Sequence, residues 1–181
     1  MRPPRALPSA LASALLCAAC ASAPGAGAGA GAGAPLPAAP WSGARLTGAE
    51  APAVYGEQWR RAANRATCAL LAPRTLGEGA GATPRAATYS GGWAVAYDRP
   101  GLRSAFGVAG SGSPANGDTY AWADSLRWAD GSVATYGPEG GTGPNQLAYL
   151  RVAGQGCLYN VWSRLGRAHL VTLLGALRFV E

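Results

Sequence analysis

The chain has 181 residues, enough for one domain with a substantial core, and its 15 basic and 9 acidic side chains give a formal net charge of +6. Every basic residue is arginine, and apart from the pair Arg60 and Arg61 they are scattered singly. No dense basic stripe is available to track a phosphate backbone, which argues against a nucleic-acid partner.

The first element is an export leader, residues 1–19. Arg2 and Arg5 precede an apolar run, Ala6–Ala19, and small residues follow. The run falls short of the roughly 20 apolar residues that a spanning helix needs, and Pro8 interrupts it. A buried core helix would leave the basic start and small-residue end unexplained.

The stretch "CAAC", Cys17–Cys20, resembles the bacterial lipobox, in which small residues precede a cysteine that takes up diacylglycerol before cleavage. The resemblance implies that Cys20 is the lipid-attachment residue and that an N-terminal anchor holds the protein at a membrane of the cell envelope. In a Gram-negative cell Ala21, where an aspartate would signal inner-membrane retention, points to the outer membrane facing the periplasm. Cys17 stands where the lipobox pattern has leucine, with Leu16 one place further back. Cleavage after Ala23, giving a soluble secreted or periplasmic protein, therefore stays open.

Residues 20–45 read as a tether. The alternating glycine and alanine of Gly25–Ala34 offer no side chain to bury and cannot offset an ordering cost of about 1 to 2 kcal/mol per residue. As a flexible coil the segment to Pro40 would reach about 25 Å. Once Cys20 is lipidated, Cys68 and Cys157 remain as the natural disulfide pair, closing a loop whose chain entropy is equivalent to roughly 4 to 5 kcal/mol. Two buried free thiols are the alternative.

Residues 46–181 form one α+β domain. In "GEQWRRAANRATCALLA", Gly56–Ala72, the residues Trp59, Ala63, Ala66, Cys68 and Leu70 fall near helical spacing, predicting a helix ended by Pro73. From Thr88 the period becomes two: "TYSGGWAVAYD" is a strand, "RPGL" a turn at Arg99–Leu102, and "RSAFGVAG" the returning strand. Gly110–Asp118 is loop chemistry. "TYAWADSLRW" then runs to an Asp130-Gly131 hairpin turn and returns as "SVATYG", a turn that pairs Trp128 with Val133 and Leu126 with Thr135. After the loop "PEGGTGPN", "QLAYLRVAG" and "CLYNVWSR" complete an antiparallel meander of about six strands. In "GRAHLVTLLGALRFVE", Leu170, Leu173, Leu174 and Leu177 form the apolar stripe of a C-terminal helix packed on the sheet.

From Trp93 to Val180, the order of a "GW" strand, a meander and a terminal helix finishing in "LRFV" resembles the PsbP and Mog1 type of α+β fold. The resemblance implies an architecture and carries no activity with it.

Catalytic patterns are scarce. A serine triad needs a histidine base, and the one histidine, His169, flanks the leucine stripe, where a half-exposed packing role is the ordinary one. One histidine and two paired cysteines do not supply a zinc site, and no EF-hand spacing or P-loop lysine is present. No catalytic, cofactor or metal residue is assigned.

The most suggestive stretch is "YAWADSLRWADG", in which Trp-Ala-Asp recurs. On an extended strand Tyr120, Trp122, Asp124 and Trp128 face one way, a ligand platform suited to a glycan or cell-wall fragment. The alternative places the tryptophans in the core. The expected function is a non-enzymatic binding or structural domain with a cell-wall or envelope-protein partner. The alternative is a cell-wall or glycan hydrolase using Asp124 and Asp130, which a straight strand would hold about 20 Å apart, too far for paired carboxylates.

Overall fold

A computed structural model describes residues 34–141 and 143–181. The expected leader, Cys20 and nearly all of the glycine-alanine run lie outside the described residues. The strands are β1 (Leu71–Pro73), β2 (Thr83–Ala86), β3 (Trp93–Arg99), β4 (Leu102–Pro114), β5 (Asp124–Arg127), β6 (Val133–Pro138), β7 (Gln146–Arg151), β8 (Cys157–Ser163) and β9 (Leu177–Phe179). The α-helices are α1 (Ala53–Arg61) and α2 (Arg167–Ala176). No helix among the described residues is long and apolar enough to cross a membrane.

The fold is mixed α and β with antiparallel sheets, as the sequence implies, but the main sheet has 7 strands and its order is β2-β3-β4-β8-β7-β6-β5. It is not a simple meander. After β4 the chain crosses to the far edge and returns strand by strand, so β8 pairs with β4 in the middle. Arg151 holds this crossing, its guanidinium donating to the Ala115 carbonyl at 2.6 Å, the Gly117 carbonyl at 3.2 Å and the Thr119 hydroxyl at 2.9 Å. β1 and β9 form a separate two-stranded sheet.

One face of the large sheet is the core. Trp93, Val95 and Tyr97 of β3, Phe106 and Val108 of β4, and Tyr159 and Val161 of β8 alternate inward, as the two-residue period requires. They meet Tyr55 of α1, whose ring lies 6.1 Å from that of Trp93, and Leu170, Leu173 and Leu174 of α2. α1 packs on β3, and α2 on β8 and β7. The opposite face carries neither helix.

Both helices are shorter than the periodicity predicts. α1 starts behind Pro52 and stops at Arg61, before Ala63, Ala66 and Cys68. Beyond it tertiary bonds override helix propensity: Asn64 donates to the carbonyls of Gly110 and Ser111 at 3.1 and 2.7 Å, and Cys68 joins Cys157 in a disulfide with Cα atoms 5.2 Å apart. α2 ends at Ala176 because Leu177–Phe179 pairs with β1, an attraction helical spacing does not register.

The "YAWADSLRW" strand is shorter too, extended only over Asp124–Arg127. Its register is Leu126 with Ala134 and Arg127 with Val133, one residue away from the two-residue turn expected. The turn spans Trp128 to Ser132, with the Trp128 amide donating to the Ser132 carbonyl at 3.1 Å and Asp130 accepting from the Ser132 amide at 2.9 Å. A single-residue slip reverses which face each side chain takes.

The packed body begins earlier than Leu46. Ala39 and Trp41 are buried, the Trp41 ring meets that of Trp128 edge-on at 5.0 Å, and the Ala129 amide donates to the Pro37 carbonyl at 2.9 Å. The last residues of the segment read as a tether are thus part of the fold.

Candidate functional site

The helix-free face of the sheet carries the candidate site. Along β7 the residues alternating with the core pair Ala148 and Leu150 are Leu147, Tyr149 and Arg151; along β8 they are Leu158, Asn160 and Trp162. Leu147 pairs directly with Trp162 and with Gly137 of β6, placing all three in one row across the strands. Two glycines make room for indoles in that row. A Cβ on Gly137 would strike the Trp122 ring, and one on Gly107 the Trp162 ring.

The crossing chain delivers Tyr120 and Trp122 to this face. The Trp122 ring lies 5.1 Å from Tyr149 and 5.1 Å from Tyr120, both tilted, and its indole N–H donates to the Pro138 carbonyl at 3.3 Å. The three aromatics, with Glu139 and Leu147, line a hollow of about 380 Å³. A second hollow of about 350 Å³ adjoins it through Glu139 and Leu147, and adds Tyr89, Asn160, Trp162 and Arg164. A third, about 170 Å³, is lined by Ser111, Ser113, Asp118, Thr119 and Asn160, and shares Tyr149 with the first and Tyr89 with the second. Together they make one groove with aromatic walls and polar ends. Partial burial pushes the Tyr89 phenol up from its ordinary pKa, with the nearby Tyr149 and Glu139 adding to the shift, so Tyr89 stays a neutral hydroxyl donor.

The four platform residues do not share a face. Tyr120, 64% exposed, and Trp122 reach the groove. Trp128, 6% exposed, is a core residue against Trp41. Asp124 accepts both Arg167 N–H groups at 2.8 Å, an attachment to α2 on the opposite face. The face changes because the chain is irregular before Asp124, and the strict alternation assumed for the whole stretch fails there. Asp130 accepts from the Trp41 indole at 2.9 Å and the Ser132 hydroxyl at 2.9 Å. Burial raises the Asp130 pKa, but the Ser132 amide, Trp41 indole and Ser132 hydroxyl outweigh it and hold the carboxyl below the ordinary range. Both aspartates of the hydrolase alternative are thus engaged in holding the fold.

His169 is 2% exposed. Its Nε2 lies 3.0 Å from the Leu76 carbonyl, which can only accept, so Nε2 carries the proton and Nδ1 accepts from the Ser163 hydroxyl at 2.9 Å. Ser163, itself fully buried, also accepts from the Leu165 amide at 3.0 Å. The contact resembles a nucleophile and base but is sealed from any substrate, and it pins α2 to β8 and to the loop at Leu76. Burial lowers the His169 pKa.

Sequence reasoning found Trp122 and missed Tyr149, Trp162, Tyr89 and Glu139. The alternation of "LAYLR" and "LYNVWS" gives Tyr149 and Trp162 a common side, but only the strand order brings them beside Trp122. No group of three or more His, Cys, Asp and Glu residues suited to a metal occurs among the described residues. No protein-family model, curated protein or solved structure matches the chain.

Proposed function

We propose that this chain is an exported envelope protein, anchored through a lipid on Cys20, whose open sheet face binds carbohydrate without transforming it. The leader pattern and lipobox resemblance support the anchor, and the Cys68–Cys157 disulfide is compatible with an oxidising compartment outside the cytoplasm. The observation that carries the binding reading is the Tyr120–Trp122–Tyr149 cluster around an open hollow with Glu139 at its rim. Aromatic faces take the C–H surface of a sugar ring, while a carboxylate and phenols accept or donate to its hydroxyls. A core aromatic cluster would leave no open hollow beside it.

Titration of the processed full-length protein with N-acetylglucosamine oligomers, followed by tryptophan emission and calorimetry, tests the reading. Binding should weaken by about 2- to 10-fold in Trp122→Ala, the loss of one aromatic contact worth about 0.5 to 1.5 kcal/mol. Absence of heat and of an emission change at millimolar sugar would refute it.

A further inference from the structure

The second hollow differs from the first in carrying opposite charges. Glu139 follows β6 and Arg164 follows β8, on either side of β7, and both line this hollow. Pro138, Gln146 and Ser163 are cross-strand partners in a row, so the two charged residues stand one position beyond it, with backbones two strand spacings or about 10 Å apart. No salt bridge engages either charge among the described residues. Arg164 donates to the Arg103 carbonyl at 2.9 Å, an attachment toward β4 and away from Glu139, which keeps the two groups apart. Beside them, one same-face row along the strands, lie Leu147 and Trp162, an apolar floor for a small side chain, and Asn160 also lines the hollow.

We propose that the groove takes a glycopeptide: sugar on the Trp122–Tyr149 wall and, in the adjoining hollow, a short peptide whose ammonium approaches Glu139 and whose carboxylate approaches Arg164. The inference rests on the carbohydrate reading and specifies its ligand. Both side chains are exposed, so a neutral glycan leaves the two charges to water, whereas a zwitterionic peptide joined to it adds a charge-assisted hydrogen bond to each. Glu139 and Leu147 belong to both hollows, so a single covalent ligand can extend from one into the other.

Calorimetry on the processed full-length protein, with three probes, tests this: an N-acetylglucosamine oligomer, a cell-wall glycan of equal length carrying its stem peptide, and the free peptide. The glycopeptide should bind at least about tenfold more tightly than the glycan, a gain equivalent to about 1.4 kcal/mol. The gain should shrink at about 0.5 M salt, where exposed charges are screened. Arg164→Gln should abolish the gain and leave the glycan's affinity unchanged, and Glu139→Gln should abolish it as well. Equal affinity for glycan and glycopeptide, or an undiminished gain in Arg164→Gln, overturns the glycopeptide proposal and leaves the carbohydrate reading standing. Silence from both sugar probes overturns the two together, and tighter binding of the free peptide than of the glycopeptide refutes the shared groove.

Discussion

The chain's one histidine should make its stability fall as the pH drops below about 6.5. His169 is buried neutral, its Nε2 proton committed to the Leu76 carbonyl and its Nδ1 lone pair to the Ser163 hydroxyl. A second proton, on Nδ1, would face the Ser163 oxygen, which already accepts from the Leu165 amide. Burial lowers the ring's pKa, with Arg99 assisting; the Leu76 carbonyl and Glu78 oppose it. In the unfolded chain the imidazole takes a proton near its ordinary value of 6.5, whereas the folded chain takes one only at lower pH. The unfolded state therefore binds more protons below pH 6.5, and stability is unaffected by His169 above that value and declines beneath it. The slope approaches about 1.4 kcal/mol per pH unit, levelling off at the folded-state pKa. Carboxylates act lower: Glu50, held down by the Thr47 amide, and Asp98, held down by the Ser104 amide, start from ordinary values of 4.5 and 3.8 and lose their contribution only as pH falls beneath these. Urea denaturation at pH 7.5, 6.5, 5.5 and 5.0 with the disulfide intact should show flat stability to pH 6.5 and then a fall, and His169→Gln, less stable throughout, should remove the fall. Constant wild-type stability down to pH 5.0, or an equal decline in His169→Gln, would refute the assignment of proton and lone pair.

Three other perturbations separate the parts of the fold. Gly137→Ala puts a Cβ into the Trp122 ring; it should displace that indole, abolish sugar-induced emission changes and cost about 1 to 3 kcal/mol by overpacking, measured by urea denaturation alongside the titration. Trp41→Ala should cost about 3 kcal/mol, the lower range for emptying a buried aromatic, where a residue in a loose tether would be silent; the thermal midpoint decides between them. Cys68→Ser with Cys157→Ser should lower stability by about 2 to 5 kcal/mol, and an unchanged urea midpoint would deny the bond an energetic role.

The parts of the fold legible in the sequence are those set by neighbours along the chain. The Pro-Gly turn at Arg99–Leu102 does join β3 to β4, and Arg99 pairs with Leu102 there. The leucine stripe of α2 is buried as its spacing implies, with Leu170, Leu173 and Leu174 at 0% exposure. What escaped was set by neighbours across it. β1 and β9 are 3 residues each and exist because they pair with one another over a long separation, so neither carries a periodic signature. The hairpin slip at Trp128–Ser132 arose because Asp130 and the Trp128 amide bind Ser132, stabilising a wider turn than Asp-Gly alone favours.

The site shows the same division with a functional consequence. Trp122 belongs to a run whose alternation would place it with Asp124 and Trp128, yet the three reach different surroundings because the chain before β5 must first cross the sheet. That crossing exists because β4 pairs with β8 rather than with β5. The topology that hides the site from a linear reading therefore also builds it, since only a chain passing over β7 and β6 can lay Tyr120 and Trp122 beside Tyr149. Arg151, on the same side of β7 as Tyr149, clamps the crossing through three acceptors and so ties to the sheet the segment that leads into Tyr120 and Trp122.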